Sequence, residues 1–144
     1  MRIIECENYE QVCKVAADIV AAQITLKPDC IIGLPTGNTP IGMYKNLADK
    51  CSAGDLDFSE VTTFNLDEYC GITRDDPNSY YSFMKENLFS KVNLKPENAH
   101  VPNCENTDAG IASLTPVIET FSSLNARYVV FLSAEVSLKE SALL

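Results

Sequence analysis

The stretch Gly33-Leu34-Pro35-Thr36-Gly37-Asn38-Thr39-Pro40 stands between two different hydrophobic patterns. Before it, Cys30-Ile31-Ile32 is a short apolar run that suits a strand buried on both faces. After it, Ile41, Tyr44, Leu47 and Ala48 recur at helical spacing, with Thr39 as a good N-cap and Pro40 in the first helical turn. Strand, glycine-containing loop, helix is the repeating unit of a parallel α/β sheet. Physically the loop is an anion site. Gly37 can adopt positive φ, the helix start offers unpaired N–H groups, and Thr36, Asn38 and Thr39 add side-chain donors. A tight strand-to-helix turn is an equally good reading of the spacing alone. The loop lacks the Gly-Lys-Ser/Thr of a Walker loop and the G-x-G-x-x-G of a dinucleotide loop, so a phosphorylated metabolite is favoured over a nucleotide.

Outward from this loop the alternation continues. Residues 1–5 read as a short strand, and residues 8–26 as a helix whose stripe is Tyr9, Val12, Val15, Ala16, Ile19 and Val20, ended by Pro28. Val61–Asn65 is β-branched and aromatic, hence a strand. Tyr80, Phe83, Met84, Asn87 and Leu88 predict a second helix with Asn78 or Ser79 as its cap. A helical pattern runs from Asp108 to Phe121, interrupted by Pro116. Arg127–Leu132 reads as a strand, and the last dozen residues as one more helix. The expected fold is a three-layer α/β domain with a parallel sheet.

A second segment, Phe64-Asn65-Leu66-Asp67-Glu68-Tyr69-Cys70-Gly71, follows the Val61–Asn65 strand. It would lie at the carboxyl edge of the sheet, where open α/β folds bind ligands. An aspartate partly buried among Phe64, Leu66 and Tyr69 would have its pKa raised, which suits a base that takes a carbon-bound proton beside a carbonyl. A solvated acidic turn is the commoner meaning of an Asp-Glu pair. Taken together, a phosphate nest and a carboxylate on consecutive strands suit enolisation of a sugar phosphate.

Composition narrows the class. The 144 residues carry 46% hydrophobic and 22% charged residues, with a formal charge of -9. An acidic surface argues against nucleic acid and anionic membrane as partners. There is no apolar run long enough to cross a membrane and no signal-peptide pattern at the N-terminus, so a cytoplasmic location is expected. The six cysteines are scattered with no C-x-x-C and read as reduced. A single histidine, His100, leaves no multi-histidine metal site, and this residue reads as an ordinary surface or loop histidine.

GLPTGNTPIGMYKNL, TFNLDEYCG and DDPNSYYSFMKENLF, in that order and spacing, resemble the glucosamine-6-phosphate deaminases. The resemblance runs from Met1 through VPNCENTDAG. It implies a Rossmann-like fold and conversion of glucosamine 6-phosphate to fructose 6-phosphate and ammonia, with no metal or organic cofactor. It implies that Thr36, Gly37, Asn38 and Thr39 contact the phosphate end, that Asp67 moves the proton between C2 and C1, and that Glu68 is its neighbour in the site. Tyr80 is then structural or regulatory. The partner is a small sugar phosphate, and a homo-oligomer stays open. The sister 6-phosphogluconolactonases have Asp-Glu-Arg where this chain has Asp67-Glu68-Tyr69, which favours the deaminase over a lactonase-like hydrolase.

After about Ile111 the resemblance fades, and the family's G-I-G-x-x-G-H-I motif, whose histidine helps open the sugar ring, does not follow. Residues 1–112 therefore read as the deaminase-like region, and residues 113–144 as a divergent tail completing or appended to the same domain. A frameshift, an internal deletion and a genuine ending are all open for that tail. Impaired turnover, or an inactive remnant that binds sugar phosphate, is expected on this reading.

Overall fold

In the computed structural model, the described residues are 4–69, 71–102 and the backbone of 129–131. The element order is α1 (Tyr9–Leu26), β1 (Ile31–Gly33), α2 (Ile41–Ser52), β2 (Thr62–Phe64), α3 (Tyr80–Asn87), β3 (Ala99–His100) and β4 (Val129–Phe131). The four strands form one parallel sheet in the order β3-β2-β1-β4. This is the expected Rossmann-like α/β fold. The steps from β1 through α2 to β2 and from β2 through α3 to β3 run in one direction, so right-handed crossovers stack both helices on one face.

Local chemistry explains the helix limits. Asn8 caps α1, its side chain accepting from the Gln11 N–H at 2.9 Å, and Pro28 follows the last turn. Ser79 caps α3 by accepting from the Ser82 N–H at 3.0 Å. The α2 start differs from the sequence expectation. Thr39 is not its N-cap; Pro40 is, and no side chain caps the helix. Pro40 has no N–H to satisfy, and its near-helical φ of -83° lets the first carbonyl bond run from Tyr44 N–H to Pro40 O.

The core gathers Ala17, Val20 and Ile24 of α1, Met43, Tyr44 and Leu47 of α2, Met84 of α3, and Cys30, Ile32 and Leu34 along β1. Ile31 points to the opposite face and is also buried, so β1 is covered on both sides as the middle layer of a three-layer fold must be. In α1 the buried line is Cys13, Ala17, Val20 and Ile24, rotated from the expected stripe; Tyr9 and Ile19 stay 40% and 46% exposed. The reason is a close helix contact. A Cβ on Gly42 of α2 would meet the Cys13 sulfur at 2.5 Å, so the α1 face with the small residues is the one drawn against α2.

Ile4 and Glu5 are not in a strand, and residues 1–3 lie outside the described residues. So do the helices read over 108–121 and at the chain's end. The strand read over 127–132 is present as β4, with Ile31, Ile32 and Gly33 in register with Val129, Val130 and Phe131. Among the described residues no helix is long and apolar enough to cross a membrane.

Candidate active site

Gly33 and Phe64 are register partners at the carboxyl ends of β1 and β2. The loop after each strand therefore leaves from the same sheet edge, as the sequence implied. The Leu34 N–H donates to Phe64 O at 2.8 Å, which keeps the two exits side by side for one more residue.

In the first loop, buried groups hold the backbone carbonyls. Leu34 O accepts from the Asn65 side-chain amide at 2.8 Å. Pro35 O accepts from the Tyr44 hydroxyl, which burial holds far above the ordinary phenol range and therefore protonated. Asn38 O and Thr39 O both face the Tyr9 hydroxyl, at 3.3 and 3.0 Å. Gly37 has φ of 99°, the left-handed backbone that favours glycine. The N–H groups of Thr36, Gly37, Asn38 and Thr39 are donated to no protein acceptor among the described residues. Gly37, Asn38 and Thr39 are exposed and Thr36 is half-buried. Four consecutive N–H groups without an acceptor among the described residues are the kind of donor set that can bind an anion.

The expectation that the first turn of α2 offers free N–H groups is corrected in part. The Gly42 N–H donates to Tyr9 at 3.2 Å, and the Ile41 N–H lies 3.4 Å from Asn38 O. The donors available to an anion belong to the loop more than to the helix.

The second segment differs from its expected environment. Asp67 is exposed, and Leu66 and Tyr69 beside it are 49% and 54% exposed, so the partial burial anticipated for the carboxylate is not there. Leu66 turns outward because the strand ends at Phe64 and buried Asn65 takes the inward position. Glu68 reaches the other way. Its Oε1 accepts the N–H groups of Tyr69 and Tyr80, each at 2.9 Å, and its Oε2 accepts that of Tyr81 at 3.0 Å. It binds the start of α3, where unpaired N–H groups and the positive helix end favour an anion.

Tyr80 links the two segments. Its hydroxyl donates to that of Tyr69 at 3.2 Å, and the two rings lie 4.7 Å apart. The Tyr69 hydroxyl and partial burial raise its pKa, with a smaller contribution from the Asp67 charge, while the Thr36 side chain acts the other way. Thr36 and Asp67 therefore both lie near the Tyr80 phenol.

Sequence reading missed three groups. Asn65 reads in the sequence only as the end of a strand. It is fully buried, its N–H donates to His100 O at 2.9 Å, and its amide holds Leu34, which ties β1 to β3. His100 is not a surface or loop histidine: it is half-buried in β3 and stacks on Phe64 with ring centroids 4.5 Å apart. Burial, and then the Arg74 charge, lower its pKa. Tyr9 falls on the helical stripe of the sequence, but it is 40% exposed and its hydroxyl serves the loop. Of these, the β-branched and aromatic pattern around Phe64 could have signalled only that Asn65, polar at a strand end, needed partners.

The matching family is described as glucosamine-6-phosphate isomerases/6-phosphogluconolactonase, and the match covers residues 6–134. A glucosamine-6-phosphate deaminase of Alkaliphilus metalliredigens is 54% identical over 103 residues, which is 72% of this chain and 43% of that protein. Glucosamine-6-phosphate deaminase 2 of Bacillus subtilis is 48% identical over 106 residues, 74% of this chain and 43% of that protein. The chain thus spans well under half the length of these relatives. Among solved structures, a monomeric glucosamine-6-phosphate deaminase superposes with a TM-score of 0.80 at 39% identity, covering 87% of this chain and 52% of that one. A 6-phosphogluconolactonase from Thermotoga maritima has a TM-score of 0.57 at 18% identity over 72% of this chain and 45% of that one, a likeness of fold alone. The family match extends past Ile111, where the resemblance in the sequence faded, and takes in β4. By fold, by the two strand-end segments and by this match, the chain belongs to the glucosamine-6-phosphate isomerase/6-phosphogluconolactonase family.

Proposed function

We propose that this chain provides the phosphate cradle and the proton-transferring carboxylate of a glucosamine-6-phosphate deaminase, which converts glucosamine 6-phosphate and water to fructose 6-phosphate and ammonia. The observation that carries the reading is the row of four unpaired N–H groups from Thr36 to Thr39, one strand away from Asp67. A sugar phosphate seated with its phosphate on that row extends its carbon chain across the neighbouring strand end. Asp67, exposed and without a hydrogen bond among the described residues, is the carboxylate able to approach C1 and C2. As a base it takes the proton from C2 of the ring-opened 2-amino aldehyde while the C1 oxygen is protonated, and it returns the proton to C1 of the resulting enolamine as the nitrogen gives up a proton, leaving a C2 imine that water hydrolyses to the ketose and ammonia. Glu68, the neighbour of Asp67 in the site, also holds the start of α3 by accepting the N–H groups of Tyr80 and Tyr81. Thr36, Gly37, Asn38 and Thr39 keep the phosphate role.

The 48–54% identity to deaminases, beside structural likeness alone to the Thermotoga lactonase, favours amino-sugar chemistry over lactone hydrolysis. The test is ammonia release from glucosamine 6-phosphate by the purified chain and by Asp67→Asn, with 6-phosphogluconolactone as the second substrate. Loss of a general base is expected to lower the rate by about 10²–10⁴. Equal release by both proteins, or acid formation from the lactone with no ammonia from the amino sugar, would refute the assignment.

A further inference from the structure

We propose that two tyrosine hydroxyls, Tyr9 of α1 and Tyr44 of α2, are positioning residues that aim the phosphate-facing N–H groups of the loop. The inference rests on the phosphate role given above to residues 36–39 and adds how that role is built. In a trans peptide the C=O and the next N–H point in opposite directions. Whatever fixes one carbonyl therefore fixes the following donor. Tyr9 Oη sits 3.3 Å from Asn38 O and 3.0 Å from Thr39 O, and accepts the Gly42 N–H at 3.2 Å. With the Asn38 carbonyl turned toward α1, the Thr39 N–H is turned away from α1. Tyr44 does the same one turn of loop earlier. Its hydroxyl donates to Pro35 O from a fully buried ring, so the Thr36 N–H is turned away from the core.

The prolines fit this scheme. Pro35 and Pro40 lack N–H groups, so Leu34 O and Thr39 O can be held inward without any donor being directed anywhere. The Leu34 carbonyl is held by Asn65, and the Thr39 carbonyl by Tyr9. Carbonyl oxygens left to swing outward would present negative dipole ends to an anion. Each hydroxyl therefore removes a repulsive orientation as well as securing an attractive one. Neither tyrosine needs to touch the ligand.

The two hydroxyls also differ in what surrounds them. Tyr44 is sealed in the core, whereas Tyr9 rims an open groove between α1 and α2 floored by Cys13 and Gly42 and flanked by Lys45 and Asp49. Tyr9→Phe removes only one oxygen at an accessible position, and is the cleaner variant.

The experiment compares the parent 144-residue chain, Tyr9→Phe and Tyr44→Phe. Inorganic phosphate and glucosamine 6-phosphate are titrated by calorimetry well below each protein's melting temperature, and melting is recorded without ligand. A net hydrogen bond of about 1 kcal/mol corresponds to roughly a fivefold rise in Kd for either anion in Tyr9→Phe. A purely structural role would lower the melting temperature and leave Kd unchanged in the folded protein. That result overturns the inference while the phosphate role stands. Absence of phosphate binding by the parent overturns both. Should either variant fail to fold, amide NMR of the parent decides: phosphate is expected to shift the Thr36 and Thr39 N–H resonances most, and a shift confined to other residues sinks the proposal.

Discussion

The Gly33–Pro40 loop and the Asn65–Tyr69 segment leave adjacent strands at one sheet edge, yet the chain holds them in opposite ways. In the loop, acceptors are tied down and donors are left over: the Leu34, Pro35, Asn38 and Thr39 carbonyls are occupied, and among the described residues the N–H groups from Thr36 to Thr39 are not. In the segment, a donor at the strand end is tied down by His100 O, and of two consecutive acids one is spent on structure while the other is exposed. Asp67 and Glu68 differ by one methylene and by the side of the chain on which they fall. That is enough to give Glu68 the start of α3 and to leave Asp67 at the surface. One edge can thus present positive dipole ends from one loop and a negative charge from the loop of the adjacent strand.

The sharpest way to break this contrast is to remove the structural acid. Glu68→Ala leaves three backbone N–H groups without their carboxylate acceptor, and hydrogen bonds to a charged group are worth about 1.5–3 kcal/mol. A loss of about 2–3 kcal/mol in urea unfolding is expected, with Tyr80 released from its place beside Tyr69. Asp67→Asn should change stability by less than about 0.5 kcal/mol, while lowering the proposed ammonia release by a factor of about 10²–10⁴. Equal destabilisation by the two variants would show that the acids are not divided as described.

The loop side is tested at Gly37. Among the described residues, setting aside its chain neighbours, no atom lies within 4 Å of a Cβ built there, so substitution meets the cost of a side chain at φ of 99°. Gly37→Val is expected to lose about 1–2 kcal/mol and, because the loop relaxes to negative φ, to lose thermal protection by inorganic phosphate. Asn tolerates left-handed backbone better, so Gly37→Asn should retain part of that protection. Full protection in the valine variant would reduce the loop to a turn.

These particulars mark what could be seen in the sequence and what could not. Alternating apolar runs and helical stripes were sufficient for β1, α2, β2, α3 and β4, because each buries a face whose period is set by its own backbone. The helix spacing of α1 was legible, but its buried line was not. Cys13 and Ala17 are small, and only the approach of Gly42 decides that the small residues face inward. Thr36 to Thr39 could be read as donors from glycine and proline placement. Their orientation could not, because it depends on hydroxyls of Tyr9, some 30 residues away, and of Tyr44. Asp67 was expected to be partly buried because its neighbours are apolar. Leu66 and Tyr69 turned outward instead, and neighbours along a chain do not determine burial once a strand has ended.

The smallest effect expected is one of pH, and it separates the two regions by chemistry. No residue from Gly33 to Pro40 has a titratable side chain. The segment after β2, by contrast, rests on His100, whose ring stacks on Phe64 at an interplanar angle of 15° and whose carbonyl accepts the Asn65 N–H. Burial and the Arg74 charge disfavour the imidazolium, so the folded-state pKa of His100 lies below its ordinary 6.5. The unfolded chain then binds more protons than the folded one as pH falls below about 6.5, and by linkage stability falls with it. The contribution is fully present above that pH and is lost as pH drops through the lower folded value. Replacing His100 with Gln keeps a planar polar group but cannot titrate. Urea midpoints measured from pH 7.5 down to 5 should fall more for the parent than for His100→Gln, with the Gly37→Val variant following the parent's slope. Parallel slopes for parent and His100→Gln would mean that the histidine is as solvated folded as unfolded, and that the packing of β3 beneath the acidic segment is looser than the stacked rings imply.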